Sequence, residues 1–139
     1  MPFSLTRRVG FAAAHRYRRP DWSDERNAQV FGACARPNFH GHSYVCEVTV
    51  TGALDPATGF VADLGVLDTV LEREVRARFD HANINLDVPE FAEGKLVPTG
   101  EELARFICER VQAGLGSGAR VTRVRVSEDS TLTATYEPD

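Results

Sequence analysis

Two histidines separated by a single glycine, His40-Gly41-His42, are the sharpest chemical feature of the sequence. Residues two apart on a strand point to the same face, so the two imidazoles would converge, and Gly41 would leave room for a close approach. His15 ends an earlier apolar segment and would join them if the two segments pair. Three neutral imidazoles suit zinc, and three protein ligands leave a fourth coordination position open, as in a catalytic metal site.

Two alternatives to this metal site follow from the residues alone. An isolated pair of alternating histidines is more often an ordinary surface or loop feature than a metal site. However, the chain has only four histidines, and three of them fall in this arrangement. The nearby thiol of Cys34 could instead supply the third ligand, and that set would again predict zinc.

Cys34 lies in the segment FGACARPNFHGH, a few residues before the histidine pair. A cysteine beside a cation has a lowered pKa, and its thiolate could serve as a base or a nucleophile. The other two cysteines fit a small buried side chain better. Cys46 falls on an apolar strand face, and Cys108 lies within a predicted helix.

Two further sites carry ionisable groups in informative positions. Asp80-His81 follows a predicted helix, and spacing alone favours an interaction of His81 with the helix dipole over a proton relay oriented by Asp80. Glu128 continues the apolar alternation of Val124 and Val126. A carboxylate on that face needs a partner, because burying it alone is costly. The partner is either a ligand with two parallel N–H donors or an internal arginine.

Four strands and two helices are predicted to position these residues. Alternating or mostly apolar segments predict strands at residues 8–14, 42–52, 121–128 and 131–137, the last two as a hairpin. A helix is predicted to begin near Asp63, with an apolar stripe formed by Leu64, Leu67, Leu71, Val75 and Phe79.

A second helix is predicted to begin at Thr99, which forms a capping box with Glu102, and to end at the glycines Gly114, Gly116 and Gly118. Residues 20–37 are expected to be an irregular insertion, and residues 83–95 are rich in turn-forming and polar side chains. This order predicts a single α+β domain over residues 1–139, with a four-stranded antiparallel sheet and two helices. Four strands cannot close a barrel alone, so the exposed sheet edges favour oligomerisation.

The composition narrows the class of protein. The 139 residues carry a net charge of −4, and the only basic cluster is the short Arg16–Arg19 run, so a nucleic-acid partner is not expected. No apolar run approaches the ~20 residues that cross a bilayer. The first residues lack the features of a signal peptide, which makes a cytoplasmic protein the default expectation. An odd count of three cysteines argues against a disulfide framework.

Six ordered segments extend these local features into a resemblance over nearly the whole chain. They are FAAAHR at 11–16, FGACARPNFHGHSY at 31–44, TGALDPATGFVADL at 51–64, DHANINLDVPEF at 80–91, PTGEELA at 98–104 and VRVSED at 124–129. Together they resemble the 6-pyruvoyl-tetrahydropterin synthase family, including the related bacterial 6-carboxy-tetrahydropterin synthases of the queuosine pathway.

The resemblance implies a role for each candidate residue. The zinc ligands would be His15, His40 and His42, and the catalytic triad would be Cys34, Asp80 and His81. Glu128 would anchor the pterin ring, and Thr99 and Glu101 would line the pterin pocket. The family often has a hydroxyl residue where this chain has Gly100, so contacts there should differ.

The resemblance also implies a fold, an assembly and a substrate. The expected fold is the tunnelling fold, whose trimers close a barrel and stack in pairs as a hexamer, with the sites between subunits. The expected substrate is 7,8-dihydroneopterin triphosphate, with magnesium as a possible counterion of the triphosphate. Five residues separate Cys34 from His40. This spacing resembles the pyruvoyl enzymes, whereas the carboxy enzymes commonly have a shorter one. An inactive zinc- or pterin-binding relative is expected to lack one of these residues.

Overall fold

Two long antiparallel strands form the centre of the molecule. The structure, a computed structural model, describes every residue from Met1 to Asp139. Strand β1 (Ser4–His15) pairs with β2 (His40–Thr51) along their full length. Both predicted strands are therefore confirmed: the first is longer at both ends, and the second begins two residues earlier and ends one residue earlier than predicted. His15 lies at the end of the ladder directly opposite His40.

Three further strands complete a mixed sheet. They are β3 (Ala82–Asn83), β4 (Arg120–Ser127) and β5 (Thr133–Tyr136), and the sheet order is β3-β1-β2-β4-β5. The prediction of four antiparallel strands was wrong in one respect, because β3 adds a fifth strand that pairs parallel to β1. Its two residues are too few to show any alternation in the sequence. Glu128 lies just past the end of β4, where its backbone N–H donates to the Leu132 carbonyl at 3.1 Å.

The first long helix begins where the sequence predicts. Helix α2 (Leu64–Leu71) is capped by Asp63, whose Oδ1 accepts from the Val66 N–H at 3.1 Å. It continues through a π-helical stretch (Glu72–Arg76) into a final turn, α3 (Ala77–Phe79). The predicted stripe packs into the core as expected: Leu67, Leu71, Val75 and Phe79 are buried, and Leu64 packs against them.

The second long helix, α5 (Gly100–Leu115), is capped by Thr99, whose Oγ1 accepts from the Glu102 N–H at 3.1 Å. This bond is the only half of the predicted capping box that forms. The Glu102 carboxylate binds Arg105 instead of returning to the cap. Gly114 lies inside the helix, and Gly116 ends it with φ of 61°.

Two segments that the sequence analysis left without structure contain helices. Residues 20–37 include α1 (Asp24–Phe31), capped by Ser23, and a 3-10 turn (Gly32–Ala35). Residues 83–95 include α4 (Ile84–Asp87) and a second 3-10 turn (Pro89–Phe91). The count of two helices was therefore wrong. Only Asn27 is buried among the eight residues of α1, so this helix has no apolar stripe for the sequence to reveal.

The helices cover one face of the sheet and form a core of 25 buried residues with it. Cys46 and Cys108 both belong to this core, as predicted. On the opposite face, β2 is exposed at Gly41 and Ser43 and half-buried at every second residue from Val45 to Thr51. No helix has the length and apolar character needed to span a membrane.

Candidate metal and substrate site

Three histidines meet at one end of the core face, because strand register places them there. His15 lies opposite His40 across the β1–β2 ladder, and His42 follows two residues later on the same face. One ligand atom from each ring lies within 4.8 Å of the other two. The ring centroids are 4.6 Å apart for His15 and His40, 5.2 Å for His15 and His42, and 5.0 Å for His40 and His42.

The hydrogen bonds of this group suit a metal ion. The Nδ1 atom of His15 donates to the Pro98 carbonyl at 2.8 Å, so Nε2 carries the lone pair of the ring. The Tyr44 hydroxyl lies 3.3 Å from this Nε2 atom, and a metal ion would replace it as the partner of the lone pair. The Nε2 atom of His42 is buried and has no hydrogen-bond partner within 3.5 Å. A buried polar atom without a partner is costly, and a cation between the rings would satisfy it. These residues therefore fit a zinc ion held by three imidazoles.

Burial favours the neutral form of two of these rings, His15 and His40, in the metal-free site. Burial lowers the pKa of His15 to about 4, and the neighbouring rings of His40 and His42 lower it further against the opposing Pro98 hydrogen bond. Burial, followed by the charge of His42, also lowers the pKa of His40. Neutral imidazole is the form that binds metals, so the site is prepared for an ion near neutral pH.

Cys34 is half-buried in the 3-10 turn that precedes β2, and its carbonyl accepts from the Tyr17 N–H at 2.8 Å. Burial, with a smaller contribution from the charge of Glu128, raises the pKa of this thiol in the metal-free protein. A cation held by the histidines would act in the opposite direction. The group of mutually close ligand atoms contains the three histidines and not Cys34, which favours the three-histidine set over the alternative with a thiolate ligand.

Glu128 lies beside the histidine group with a side chain that is 12% exposed. Its Oε1 accepts from the Tyr17 hydroxyl at 2.9 Å, and its Oε2 lies 3.8 Å from Nε2 of His42. No arginine contacts this carboxylate, so an internal arginine partner, one of the two sequence alternatives, is not what the structure contains. Tyr17 was missed by the sequence analysis, although its position two residues after His15 places it on the same side of the extended chain.

Asp80 and His81 lie just after α3, and neither belongs to the group of mutually close ligand atoms formed by the other three histidines. The Nδ1 atom of His81 is 3.1 Å from Oδ2 of Asp80, and the His81 side chain is 85% exposed. Asp80 Oδ1 accepts from the Ala12 N–H at 2.9 Å, and this bond, followed by the contact with His81, lowers the pKa of Asp80. No hydrogen bond or ion pair connects the pair to Cys34 or Glu128 of the same chain. The catalytic roles of these residues remain predictions.

The start of α5 adjoins the site through Pro98, whose carbonyl holds His15, and through the cap residue Thr99. Glu101 is exposed on the first turn of the helix. Gly100 is buried, and a Cβ atom there would lie 3.0 Å from the Cβ of Ala134 on β5. A hydroxyl residue at this position would require β5 to shift, so the pocket departs here from the pattern that the resemblance implies.

Known proteins match this chain over almost its whole length. A family model described as 6-pyruvoyl tetrahydropterin synthase matches residues 4–139. The human 6-pyruvoyl tetrahydrobiopterin synthase is 39% identical over 133 residues, which cover 96% of this chain and 90% of the human protein. The 6-carboxy-5,6,7,8-tetrahydropterin synthase of Bacillus subtilis (strain 168) is 30% identical over 141 residues, which cover 98% of this chain and 86% of that protein.

The fold agrees with this relationship. The solved structure of Caenorhabditis elegans 6-pyruvoyl tetrahydropterin synthase has a TM-score of 0.91 and 31% identity to this chain, covering 99% of this chain and 96% of that one. The tunnelling fold predicted from the sequence is confirmed by this match, with the strand and helix counts corrected as described.

Proposed function

This chain belongs to the 6-pyruvoyl tetrahydropterin synthase family and is an enzyme of the lyase type, and we propose that it converts 7,8-dihydroneopterin triphosphate to 6-pyruvoyl-tetrahydropterin with loss of triphosphate. One structural observation supports this reaction in addition to family membership. A three-histidine group that fits zinc lies beside a nearly buried carboxylate with no arginine partner, so a metal site and an anchor for paired N–H donors adjoin each other.

Glu128 would orient the substrate. The guanidine-like edge of a pterin offers two parallel N–H donors, and a carboxylate accepts such a pair with good geometry. Bound in this way, the ring would direct its side chain towards the histidine group, since Oε2 of Glu128 is 3.8 Å from Nε2 of His42. Thr99 and Glu101, at the start of α5, would line the pocket around the ring.

Proton transfer would then be divided between two groups. His15, His40 and His42 would hold a zinc ion, which would supply the Lewis acidity that makes the C–H bonds next to the substrate's side-chain oxygens easier to break. Cys34 would accept a proton as its thiolate, and His81, oriented by Asp80, would exchange a second one. Oxidation of the C1′ hydroxyl carbon to a ketone, with its two electrons and two protons passing to the N5=C6 bond of the dihydropterin ring, and elimination of triphosphate from C3′ would complete the reaction. Magnesium would serve as a counterion of the triphosphate.

The exposure of His81 supports a site shared between subunits. Its side chain is 85% exposed and makes no hydrogen bond to Cys34 of its own chain, so it is available to a neighbouring chain. We propose a hexamer built from two trimers, in which the sheet edges pair between subunits and His81 of one chain completes the site of another.

Two features favour the pyruvoyl product over the carboxylated one. Identity to the human pyruvoyl enzyme is 39%, against 30% to the carboxy enzyme of Bacillus subtilis. The loop from Cys34 to His40 also has the longer, five-residue spacing. A catalytically inactive zinc- and pterin-binding protein is the remaining alternative, and it predicts binding without turnover.

The proposal is tested by release of triphosphate from 7,8-dihydroneopterin triphosphate. Zinc-loaded protein should release it, whereas protein stripped with a chelator should not. Cys34→Ala should keep its zinc and lose at least about 100-fold in turnover, because a positioned base contributes roughly that much. Cys46→Ala is the matched control, since Cys46 lies in the core away from the histidines, and its turnover should persist. Pterin binding without any triphosphate release by the wild-type protein would support the inactive alternative.

A further inference from the structure

Tyr17 contacts three parts of the proposed site at once. Its hydroxyl donates to Oε1 of Glu128 at 2.9 Å, and its backbone N–H donates to the Cys34 carbonyl at 2.8 Å. Its ring meets the His15 ring edge-on, with centroids 5.0 Å apart. On its other side the ring packs against Phe31 at the end of α1, at 5.8 Å. The position of the hydroxyl is therefore fixed by contacts on both sides of the ring.

Glu128 has two polar neighbours that compete for its carboxylate. Tyr17 donates to Oε1, whereas Nε2 of His42 lies 3.8 Å from Oε2. Without the hydroxyl of Tyr17, the carboxylate would keep its contact with the His42 ring, 3.8 Å away, which belongs to the histidine group. The carboxylate would then be drawn towards His42, or towards a cation bound there, and away from the position that receives a pterin.

We propose that Tyr17 is a positioning residue that holds the Glu128 carboxylate ready for the pterin ring and away from the histidine group. This inference rests on the proposed function, because it assumes that Glu128 binds a pterin. Tyr17 takes no part in proton transfer here. It acts through Glu128, and its effect belongs to pterin binding and not to the chemical step.

The test is pterin binding by Tyr17→Phe, which removes the hydroxyl and keeps the ring contacts and the backbone N–H. Neopterin, which has the ring but no triphosphate, is titrated into metal-free and zinc-loaded protein by calorimetry. Loss of a hydrogen bond to a charged group should raise the neopterin Kd about ten-fold in both forms. With the full substrate, KM should rise by a similar factor while kcat and zinc content stay close to wild type.

Tyr136→Phe is the matched control, because it makes the same chemical change on β5 at a tyrosine whose hydroxyl makes no hydrogen bond to another side chain. Its neopterin Kd should equal that of the wild-type protein. The double variant Tyr17→Phe with Glu128→Ala should bind neopterin no more weakly than Glu128→Ala alone, since the hydroxyl acts only through that carboxylate. This comparison remains decisive if Tyr17→Phe also lowers the melting temperature. Weaker binding caused by lower stability would appear in the Glu128→Ala background as well, whereas weaker binding caused through the carboxylate would not.

The outcomes separate this inference from the proposed function. If the wild-type protein binds neopterin and Tyr17→Phe binds it equally well, the positioning role is overturned and the proposed function is untouched. An equal further loss in the Glu128→Ala background would also overturn it, by showing that Tyr17 acts through packing. A wild-type protein that binds no neopterin would contradict the proposed function itself, and this inference with it.

Discussion

His42 keeps its Nε2 atom buried and without a hydrogen-bond partner, although the rings of His15 and His40 and the carboxylate of Glu128 lie within a few ångströms. Such an arrangement is costly in a metal-free protein and favourable around a cation. Cation binding at this site therefore depends on individual ring nitrogens such as Nε2 of His42, and single substitutions of the histidines should change it.

Removing one imidazole should remove most of the metal. The wild-type protein should hold about one zinc ion per chain, and His40→Ala and His42→Ala should each lose most of it, because a catalytic site has only three protein ligands. His81→Ala is the matched control, since it deletes the fourth histidine of the chain at an exposed position outside the group. Zinc content is measured by mass spectrometry of the metal. Full occupancy in both His40→Ala and His42→Ala would exclude the three-histidine site.

The buried His15 should make the metal-free protein sensitive to acid. Its pKa is about 4 in the folded protein against an ordinary 6.5, so the unfolded chain takes up a proton in this interval that the folded chain does not. The free energy of unfolding should therefore fall as pH drops through this window, by roughly 2 kcal/mol between about pH 7 and about pH 5. Above the ordinary pKa the contribution is fully present.

Urea unfolding of metal-free protein at the two pH values measures this dependence. His15→Gln should flatten it by that amount, whereas His81→Ala should leave it as in the wild-type protein. Identical pH dependence in the wild-type protein and His15→Gln would show that His15 is not the group responsible.

Secondary structure elements were predictable where they bury an apolar face. Strands β1 and β2 and helices α2 and α5 carry the core side chains at regular spacing, so the sequence shows them. Helix α1 buries only Asn27, and β3 has two residues, so neither has a period that a sequence could display. Tyr17 was also missed because no local sequence pattern marks it. Its role depends on a contact with Glu128, which is 111 residues away in the chain.

The cap of α5 should contribute to stability in the way that the sequence pattern implies. Thr99→Ala removes the acceptor of the Glu102 N–H and should lower the free energy of unfolding by about 1 kcal/mol. Thr69→Ala is the matched control, because the Thr69 hydroxyl only donates to the Gly65 carbonyl within α2 and alanine is the better helix former. Denaturant unfolding of both variants gives the comparison. Equal stability of Thr99→Ala and wild type would mean that the cap contributes nothing.

At the scale of the whole molecule, the sheet leaves its edges open and its second face half-exposed, and His81 is 85% exposed without a hydrogen bond to its own Cys34. An assembly in which neighbouring sheets pair would cover the edges. The predicted sheet edges already favoured oligomerisation. The proposed shared site could not be derived from spacing along one chain, because it would depend on residues of different copies, and only the resemblance suggested it.

A shared site predicts that two inactive variants can restore activity together. Cys34→Ala and His81→Ala should each be nearly inactive alone. Mixed in equal amounts and allowed to exchange subunits, they should regain a substantial fraction of wild-type turnover, because some sites receive an intact residue from each chain. The assembly should have a mass of about 92 kDa by light scattering, six times the 15.3 kDa chain. A monomer, or a mixture that stays inactive after proven exchange, would contradict the shared site.

The identity of the pterin product tests the central claim most directly. Zinc-loaded protein is incubated with 7,8-dihydroneopterin triphosphate, the pterins are identified by mass spectrometry, and the small carbonyl products are measured in the same mixture. We predict 6-pyruvoyl-tetrahydropterin as the product, with the three-carbon side chain retained and one triphosphate released for each molecule formed. Stoichiometric acetaldehyde together with 6-carboxy-tetrahydropterin would contradict it and assign the chain to the sister reaction.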